Sequence, residues 1–549
     1  MMRTSVGGRA LLLCATILLL AAPRGRAQLS SDPNIRRTEV FSSYQAFKDE
    51  LTAIAATADD RQRKTRLDTL WSELQSASQV PYAQGKRYAM LYRGAATRVA
   101  FAGDHTNWQP NATAKRVAGT DLWISEGTLP PDARIDYKVV VNGQNWILDP
   151  ENSLQVWSGF GPNSELRMPE YEYPHETIRR PNVARGTLGS DTRLSSTNLG
   201  YDVQYRVYTP AGYDEQQLAH LPVICVADGH EYAANQMGGL TALLDNLIAD
   251  AALRAAIVVF IDPRDPDNLA NNRRLAEYNM NPKFASFVAD ELVPAIDQAF
   301  RTSDAADDRL ILGTSMGGLQ AAYIGATRSD VFQRIGIQSP AFKYNPSIYR
   351  LFVKPPSAPL KIFMTAGTIN DGDGGTKLSA LLAQHGYQFT FTQANEGHSW
   401  GNWRAQLADL LISLVGPPAR CPGDFNADLT VDAADFTVWR DSLGRQVATG
   451  TGADGNHNGI VDAADELVWR AHFAAVYNSN GGGPYRRAAS VLEPLTGTAP
   501  EAGSVRGVRW CHCRAVGAEN SSCRYHSKRR QLRGCWRPRG GGWRSLPGH

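Results

Sequence analysis

The sequence predicts an α/β protein with a β-sandwich in front of it and a small helical module behind. Three observations carry this. A Gly-Thr-Ser-Met-Gly turn at 313–317 joins the apolar run Leu310-Ile311-Leu312 to a helix-like stretch, Leu319 to Ile324. Short alternating apolar runs with turn signals fill residues 80–168. Two Asp/Asn-rich loops recur with a period of 30 residues after residue 420. At 549 residues the chain is too long for one core. Its 43% hydrophobic and 20% charged residues are ordinary for a folding protein.

The first element is an export signal at residues 1–27. Arg3 and Arg9 precede a run from Ala10 to Ala22, and Gly25-Arg26-Ala27 ends in a small-residue cleavage pattern. That run is too short to span a bilayer, so the mature protein is expected outside the cell or in the periplasm, with no membrane span. Residues 28–79 form a helical segment, with Phe47, Leu51, Ile54, Leu67, Leu70 and Leu74 at helical spacing. Residues 80–170 form the sandwich, in which Asn142-Gly143 after Tyr137 to Val141 marks a hairpin. The segment Ala102 to Trp108, with Leu148-Asp149-Pro150, resembles the early-set immunoglobulin-like domain. Trp108 and Trp146 could stack on sugar rings or serve as ordinary packing aromatics.

Residues 171–416 hold the chemistry. The 313–317 turn follows a strand and opens a helix, the context of a nucleophile elbow, so Ser315 is the candidate nucleophile of an α/β-hydrolase. In such folds the acid and the histidine follow the serine in that order. The strand-like run Leu360 to Met364 precedes Asp371 and Asp373, and Phe389 to Thr392 precedes Glu396 and His398. His398 is the base and Asp371 the chosen acid, with Asp373 and Glu396 as fallbacks. A further strand, Pro222 to Ala227, leads into Asp228-Gly229-His230. The backbone N–H of Gly229 or His230, with that of Met316, would form an oxyanion hole, or the segment is an ordinary tight turn. Trp400 and Trp403 are candidate walls of the substrate site, or simply pack beneath the catalytic loop. Arg274, with Arg273, could meet an anionic or phenolic group or make an ion pair instead. Cys225 reads as a buried free thiol.

These segments, with Asp262-Pro263-Arg264, Asn272-Arg273-Arg274, Gln338-Ser339-Pro340 and Glu396 to Trp403, resemble the esterase family that includes enterochelin esterase, feruloyl esterases and esterase D-like enzymes. The resemblance implies Ser315 as nucleophile, His398 as base and an acid between Gly367 and Asp373, with no catalytic cofactor. It leaves the ester open, because members cleave siderophore, phenolic and thiol esters.

Residues 421–476 form the trailing module. Its first loop offers Asp424, Asn426, Asp428, Thr430, Asp432 and Asp435, and its second Asp454, Asn456, Asn458, Ile460, Asp462 and Asp465. This is the EF-hand schedule of oxygen donors for Ca²⁺. Position 12 is Asp, and position 6 is Gly459 in the second loop but Leu429 in the first, which is expected to weaken the first site. With Val438-Trp439-Arg440 and Val468-Trp469-Arg470 at equivalent positions, the module resembles type I dockerins. That resemblance implies calcium and a cohesin-type partner. Residues 477–549 read as a disordered basic tail. Its last 49 positions, 501–549, carry eleven Lys and Arg against two Glu. The body is therefore mildly acidic, and the net charge of +3 does not point to nucleic acid.

Together these readings give a secreted serine carboxylic-ester hydrolase acting on polysaccharide-linked feruloyl or acetyl esters. The rivals are a siderophore esterase of the enterochelin type, an acyltransferase on the same scaffold, and a non-catalytic carbohydrate-binding protein.

Overall fold

The computed structural model describes residues 38–476, apart from 112, 215–217, 219, 355–357, 418–421, 427–429, 448–451 and 457, together with 485–486. The expected signal at 1–27, Cys421, Asp428, Leu429 and most of the basic tail lie outside the described residues.

Two helices, Tyr44–Ala56 and Asp60–Ser76, lead the described chain. Ser43 and Asp59 cap them, their side chains accepting from the Ala46 and Gln62 N–H groups. Phe47, Leu51, Ile54, Leu67, Leu70 and Leu74 form one apolar face. That face packs on an antiparallel sheet in the order Tyr82–Gln84, Arg87–Arg93, Leu122–Thr128, Lys115–Arg116. Within the strand Arg87–Arg93, Ala89 and Leu91 point to the helices, while Tyr88 and Met90 point the other way. Period two therefore assigns the two faces.

The second face meets another antiparallel sheet, ordered Val99–Gly103, Arg134–Val141, Gly161–Arg167, Gln155–Ser158. Phe101, Ile135, Tyr137, Val139 and Leu166 fill the space between the sheets with Met90 and Trp123. Asn142 (φ 55°) and Gly143 (φ 81°) turn the chain from Arg134–Val141 into Asn145–Ile147. Both positions need the left-handed region, which Asn and Gly tolerate.

From Thr187 a larger sheet forms, in the order Thr187–Leu188, Asp202–Thr209, Ile257–Asp262, Val223–Val226, Arg309–Thr314, Arg334–Gln338, Lys361–Gly367, Gln388–Ala394. Ile257–Asp262 through Gln388–Ala394 run parallel, and Asp202–Thr209 is antiparallel to them. The central strands are apolar on both faces because each face has its own core. Ile311, Ile335 and Met364 lie in one core, and Leu310, Leu312 and Phe363 in the other. The buried Cys225 belongs to the first core, and burial pushes its thiol up to about 12. Parallel strands all end on the same edge, and the loops at that edge carry the site.

Behind this domain two helices, Ala433–Ser442 and Ala463–His472, follow the two repeated loops. The Trp439 indole donates to the Asp462 carbonyl at 2.8 Å, and the Trp469 indole to the Asp432 carbonyl at 2.8 Å. In the segment expected to be disordered, Tyr485–Arg486 pairs with Ala475–Val476. Such a short ladder needs backbone bonds only and no core. No helix among the described residues is long and apolar enough to cross a membrane.

Candidate active site

The strand Arg309–Thr314 ends at Ser315, and the helix Met316–Thr327 begins at once. Ser315 takes φ 57° and ψ −116°, a conformation strained for a residue with a Cβ. It is held there by two backbone bonds: its N–H donates to the Gln338 carbonyl, and its carbonyl accepts from the Ala341 N–H, both at 2.9 Å. A Cβ on Gly313 would sit 2.3 Å from the Gly317 carbonyl carbon, so the tight turn requires glycine.

His398 Nε2 lies 2.9 Å from Ser315 Oγ, and His398 Nδ1 lies 2.6 Å from Asp371 Oδ1. The Asp371 carboxylate is buried, whereas the imidazole is 39% exposed and reachable from solvent. The second Asp371 oxygen accepts from Ser339 Oγ at 2.7 Å and from the Gly367 N–H. These bonds fix the carboxylate, which in turn orients the imidazole with Nε2 toward the hydroxyl. An arrangement of this kind can remove a proton from Ser315 and return it to a leaving group.

The two fallback acids stand elsewhere. Asp373 is on the surface, paired with Lys377 at 2.6 Å, and that hydrogen bond holds its carboxyl below the usual range. Glu396 is buried against Arg134; burial pushes it up to about 7 while the Arg134 charge opposes the rise.

Gly229 opens the short helix Gly229–Ala233, and Met316 opens its own. The N–H groups of Gly229, His230 and Met316 lie in first helical turns, where no intrahelical acceptor exists. The two turns adjoin, because a Cβ on Gly317 would come 3.1 Å from Asp228 Oδ2. Asp228 has φ 57°, and its N–H donates to the Tyr278 hydroxyl at 3.0 Å. The His230 imidazole is half-buried, and burial lowers its pKa. Glu231 is pushed up to about 7, mainly by burial.

Two expected substrate contacts, Trp400 and Trp403, are corrected, and Arg274 takes its ion-pair alternative. Trp400 is 2% exposed, and its Nε1 donates to Glu231 Oε2 at 2.8 Å. It packs edge-on against Tyr232 and Trp403 beneath the catalytic loop, so it cannot wall an open pocket. Trp403 is also buried, its ring set against the His398 imidazole. Arg274 donates from Nε to Asp228 Oδ1 at 2.7 Å and from Nη2 to the Thr314 carbonyl at 3.2 Å. It ties the two first-turn segments together. Arg273 pairs with Asp265 and lies over Tyr201. In the front domain, Trp108 Nε1 donates to Asp104 Oδ1 at 3.1 Å, whereas Trp146 is 41% exposed.

Ser339, quoted only within the segment Gln338-Ser339-Pro340, and Arg134 have no role assigned from the sequence. Ser339 follows a parallel strand at the sheet edge where sites gather, and that position was a usable signal. Arg134 carried none.

In the trailing module Asp435 and Asp465 are fully buried, and Asp424 and Asp454 nearly so. Asp432 and Asp462 cap the two helices through the Ala434 and Ala464 N–H groups, and Asp435 and Asp465 reciprocate to the capping residues' own N–H groups. Asp435 Oδ1 also accepts from the Phe425 and Asn426 N–H groups. Among the described residues no three His, Cys, Asp or Glu side chains converge to hold a metal. The donor chemistry suits a hard cation nonetheless: each loop buries two carboxylates, and amide oxygens of Asn426, Asn456 and Asn458 accompany them.

Residues 196–414 match the family model described as "Putative esterase". An endo-1,4-beta-xylanase/feruloyl esterase of Xylanibacter ruminicola is 27% identical over 255 residues, 44% of this chain and 32% of that protein. An iron(III) enterobactin esterase of Dickeya dadantii is 27% identical over 273 residues, 44% of this chain and 59% of that protein. The chain thus spans less than two thirds of the length of either. The crystal structure of enterobactin esterase from Shigella flexneri, in the presence of enterobactin, shares the fold. It superposes with a TM-score of 0.50 at 22% identity over 60% of this chain and 92% of that one.

Proposed function

We propose, from the esterase-family domain at residues 196–414, that this protein is a serine carboxylic-ester hydrolase. The observation that supports this most is the hydrogen-bonded series Ser315–His398–Asp371. Ser315 Oγ attacks the ester carbonyl carbon while His398 Nε2 takes the hydroxyl proton. The carbonyl oxygen becomes an oxyanion, received by the N–H groups of Met316 and of Gly229 or His230. Asp371 stabilises the imidazolium through Nδ1. The C–O bond to the alcohol breaks, and His398 returns its proton to the leaving alkoxide. Water, deprotonated by His398, then attacks the acyl-enzyme and releases the acid and Ser315.

Polysaccharide-linked feruloyl or acetyl esters are the proposed substrates. The similarity to a protein named xylanase/feruloyl esterase supports this, as does reading residues 80–170 as an early-set sandwich and 421–476 as a dockerin-like module. A siderophore esterase is the second reading, favoured by the shared fold over 60% of the chain, more than the hydrolase domain alone. Export is part of the proposal and rests on Arg3, Arg9 and the run to Ala22. Ca²⁺ is proposed to bind both repeated loops. Asp424, Asn426, Asp428, Thr430, Asp432 and Asp435 would hold one ion, and Asp454, Asn456, Asn458, Ile460, Asp462 and Asp465 the other. The module would dock on a cohesin-type partner.

The test compares the purified protein with Ser315→Ala on 4-nitrophenyl acetate, methyl ferulate and a catecholate lactone. Turnover abolished by the substitution is expected, with methyl ferulate preferred. Equal weak turnover in both proteins would sink the hydrolase reading, and preference for the lactone would select the second one.

A further inference from the structure

The acid and the base sit on two loops, residues 367–373 and 395–399, and both loops are held from outside the hydrolase sheet. The strand Arg134–Val141 of the front domain runs alongside them. The Arg134 N–H donates to the Asn395 carbonyl at 3.1 Å. Its guanidinium is fully buried. From Nη1 it reaches Glu396 Oε2 and Ser399 Oγ, each at 3.1 Å, and from Nη2 it reaches Asp136 at 2.6 Å. Nε faces Glu165, which Arg167 also pairs. A buried charge bonded on every side has one place to be, and residues bonded to it inherit that definition.

The second hold is Asp104, in the turn after the strand Val99–Gly103. Its carbonyl accepts from Asn370 Nδ2 at 2.8 Å, next to Asp371. Its carboxylate is anchored by the Asp136 N–H at 2.8 Å and by Trp108 Nε1. Gly397, next to His398, lies against that side chain so closely that a Cβ would fall 2.1 Å from Asp104 Cγ. The two loops also hold each other, since the Ile369 N–H donates to the Glu396 carbonyl at 3.0 Å.

We infer that the front domain sets the catalytic geometry: Arg134, through Glu396 and Ser399, and Asp104, through Asn370, are positioning residues that hold His398 and Asp371 in line with Ser315. This rests on the serine-hydrolase reading above. It gives the front domain a part in turnover of any ester, including one with no sugar.

The test uses the full chain with Asn370→Gly, Ser399→Ala and Glu396→Gln. Asn370 is exposed with φ 52°, so glycine keeps the backbone and removes only the bond. Glutamine keeps the shape of Glu396 and an oxygen for Arg134. Steady-state kcat and KM for 4-nitrophenyl acetate, labelling of Ser315 by a fluorophosphonate and the thermal midpoint are measured together. The expected result for Asn370→Gly and Ser399→Ala, which each remove a bond, is a ~10–100-fold fall in kcat, with KM changed by less than ~2-fold, and a smaller fall for Glu396→Gln. Labelling should slow in parallel. Wild-type kcat and labelling in all three variants would overturn the inference. So would losses that follow only a lowered thermal midpoint, with kcat per folded molecule unchanged. A wild-type protein that neither turns over ester nor labels at Ser315 would overturn the hydrolase reading, and the inference with it.

Discussion

The indole ring of Trp403 stands edge-on to the imidazole of His398, with ring centroids 5.1 Å apart and planes at 89°. Trp403 rests in turn on Trp400, and its carbonyl accepts from Gln338 Nε2 at 2.8 Å. The base is thus limited in rotation by a buried aromatic wall, as well as by its two hydrogen bonds. Trp403→Ala should cost about 3–5 kcal/mol of stability by opening a cavity. It should also lower kcat by about 10-fold or more as the imidazole gains freedom. Trp403→Phe should retain most of both, because Trp403 Nε1 has no hydrogen-bond partner among the described residues. Unfolding curves and kcat on the three proteins check this; equal losses for Phe and Ala would contradict it.

The choice among the three acids gives a sharp contrast. Asp371→Asn should lower kcat on the order of 10³–10⁴-fold, because the amide favours the wrong imidazole tautomer. Asp373→Asn, which breaks only an exposed pair with Lys377, should change kcat by less than ~2-fold. A large effect at Asp373 and none at Asp371 would reassign the acid.

Stability should fall as pH rises from about 4.5 to about 7. Glu231, Glu277 and Glu396 are each pushed up to about 7 and Asp149 to about 6, foremost by burial. A carboxyl group with a raised folded pKa keeps a proton that the unfolded chain has already released. The stability it contributes is therefore complete below the unfolded pKa and lost as pH passes the folded one. His105, lowered to about 4 by burial, and His230, lowered likewise, act in the opposite sense. The four carboxyl groups outnumber them. Carboxylates held low by partners, such as Asp330 beside Arg328, act below this window. Urea unfolding at several pH values reads the slope. Glu277→Gln, which keeps an oxygen for the Tyr201 hydroxyl, should flatten it by at most one proton, about 1.4 kcal/mol per pH unit. A slope that rises with pH would contradict the assignment.

Chelation should act on the trailing module alone. Without a cation the buried carboxylates of each loop repel one another. EDTA should then lower the helical signal of 433–442 and 463–472 and shift Trp439 and Trp469 emission to the red. Ester turnover should remain, since no residue of these loops belongs to the candidate active site. Calcium should restore both signals at concentrations where magnesium does not. Spectra indifferent to EDTA would remove calcium from the proposal.

What could be read from the sequence was local. The elbow announces itself because strand, strained serine and helix are contiguous around Gly313 and Gly317. The post-strand positions of Asp371 and His398 follow from strand patterns a few residues long. The buried faces of both front helices follow from spacing at Phe47, Leu51 and Ile54. The places of Trp400 and Arg274 stay open in the sequence for one reason. A tryptophan beside a catalytic histidine and an arginine near an elbow have the same local sequence whether they face a ligand or the protein's own carboxylates. Only the packing of Glu231 and Asp228 against them decides. Arg134 was illegible because its partners Glu396 and Ser399 lie 262 and 265 residues away, and a lone arginine in an alternating strand carries no periodic mark.

That separation governs the order in which the molecule can assemble. A contact across 262 residues closes a long loop and gains nothing until both ends are structured. The front sheets and the hydrolase sheet each have their own core and can condense first, whereas the bond between Arg134 and Glu396 awaits their docking. On refolding from urea, helix and tryptophan signals should therefore return ahead of ester turnover, and the newly synthesised chain acquires its chemistry last.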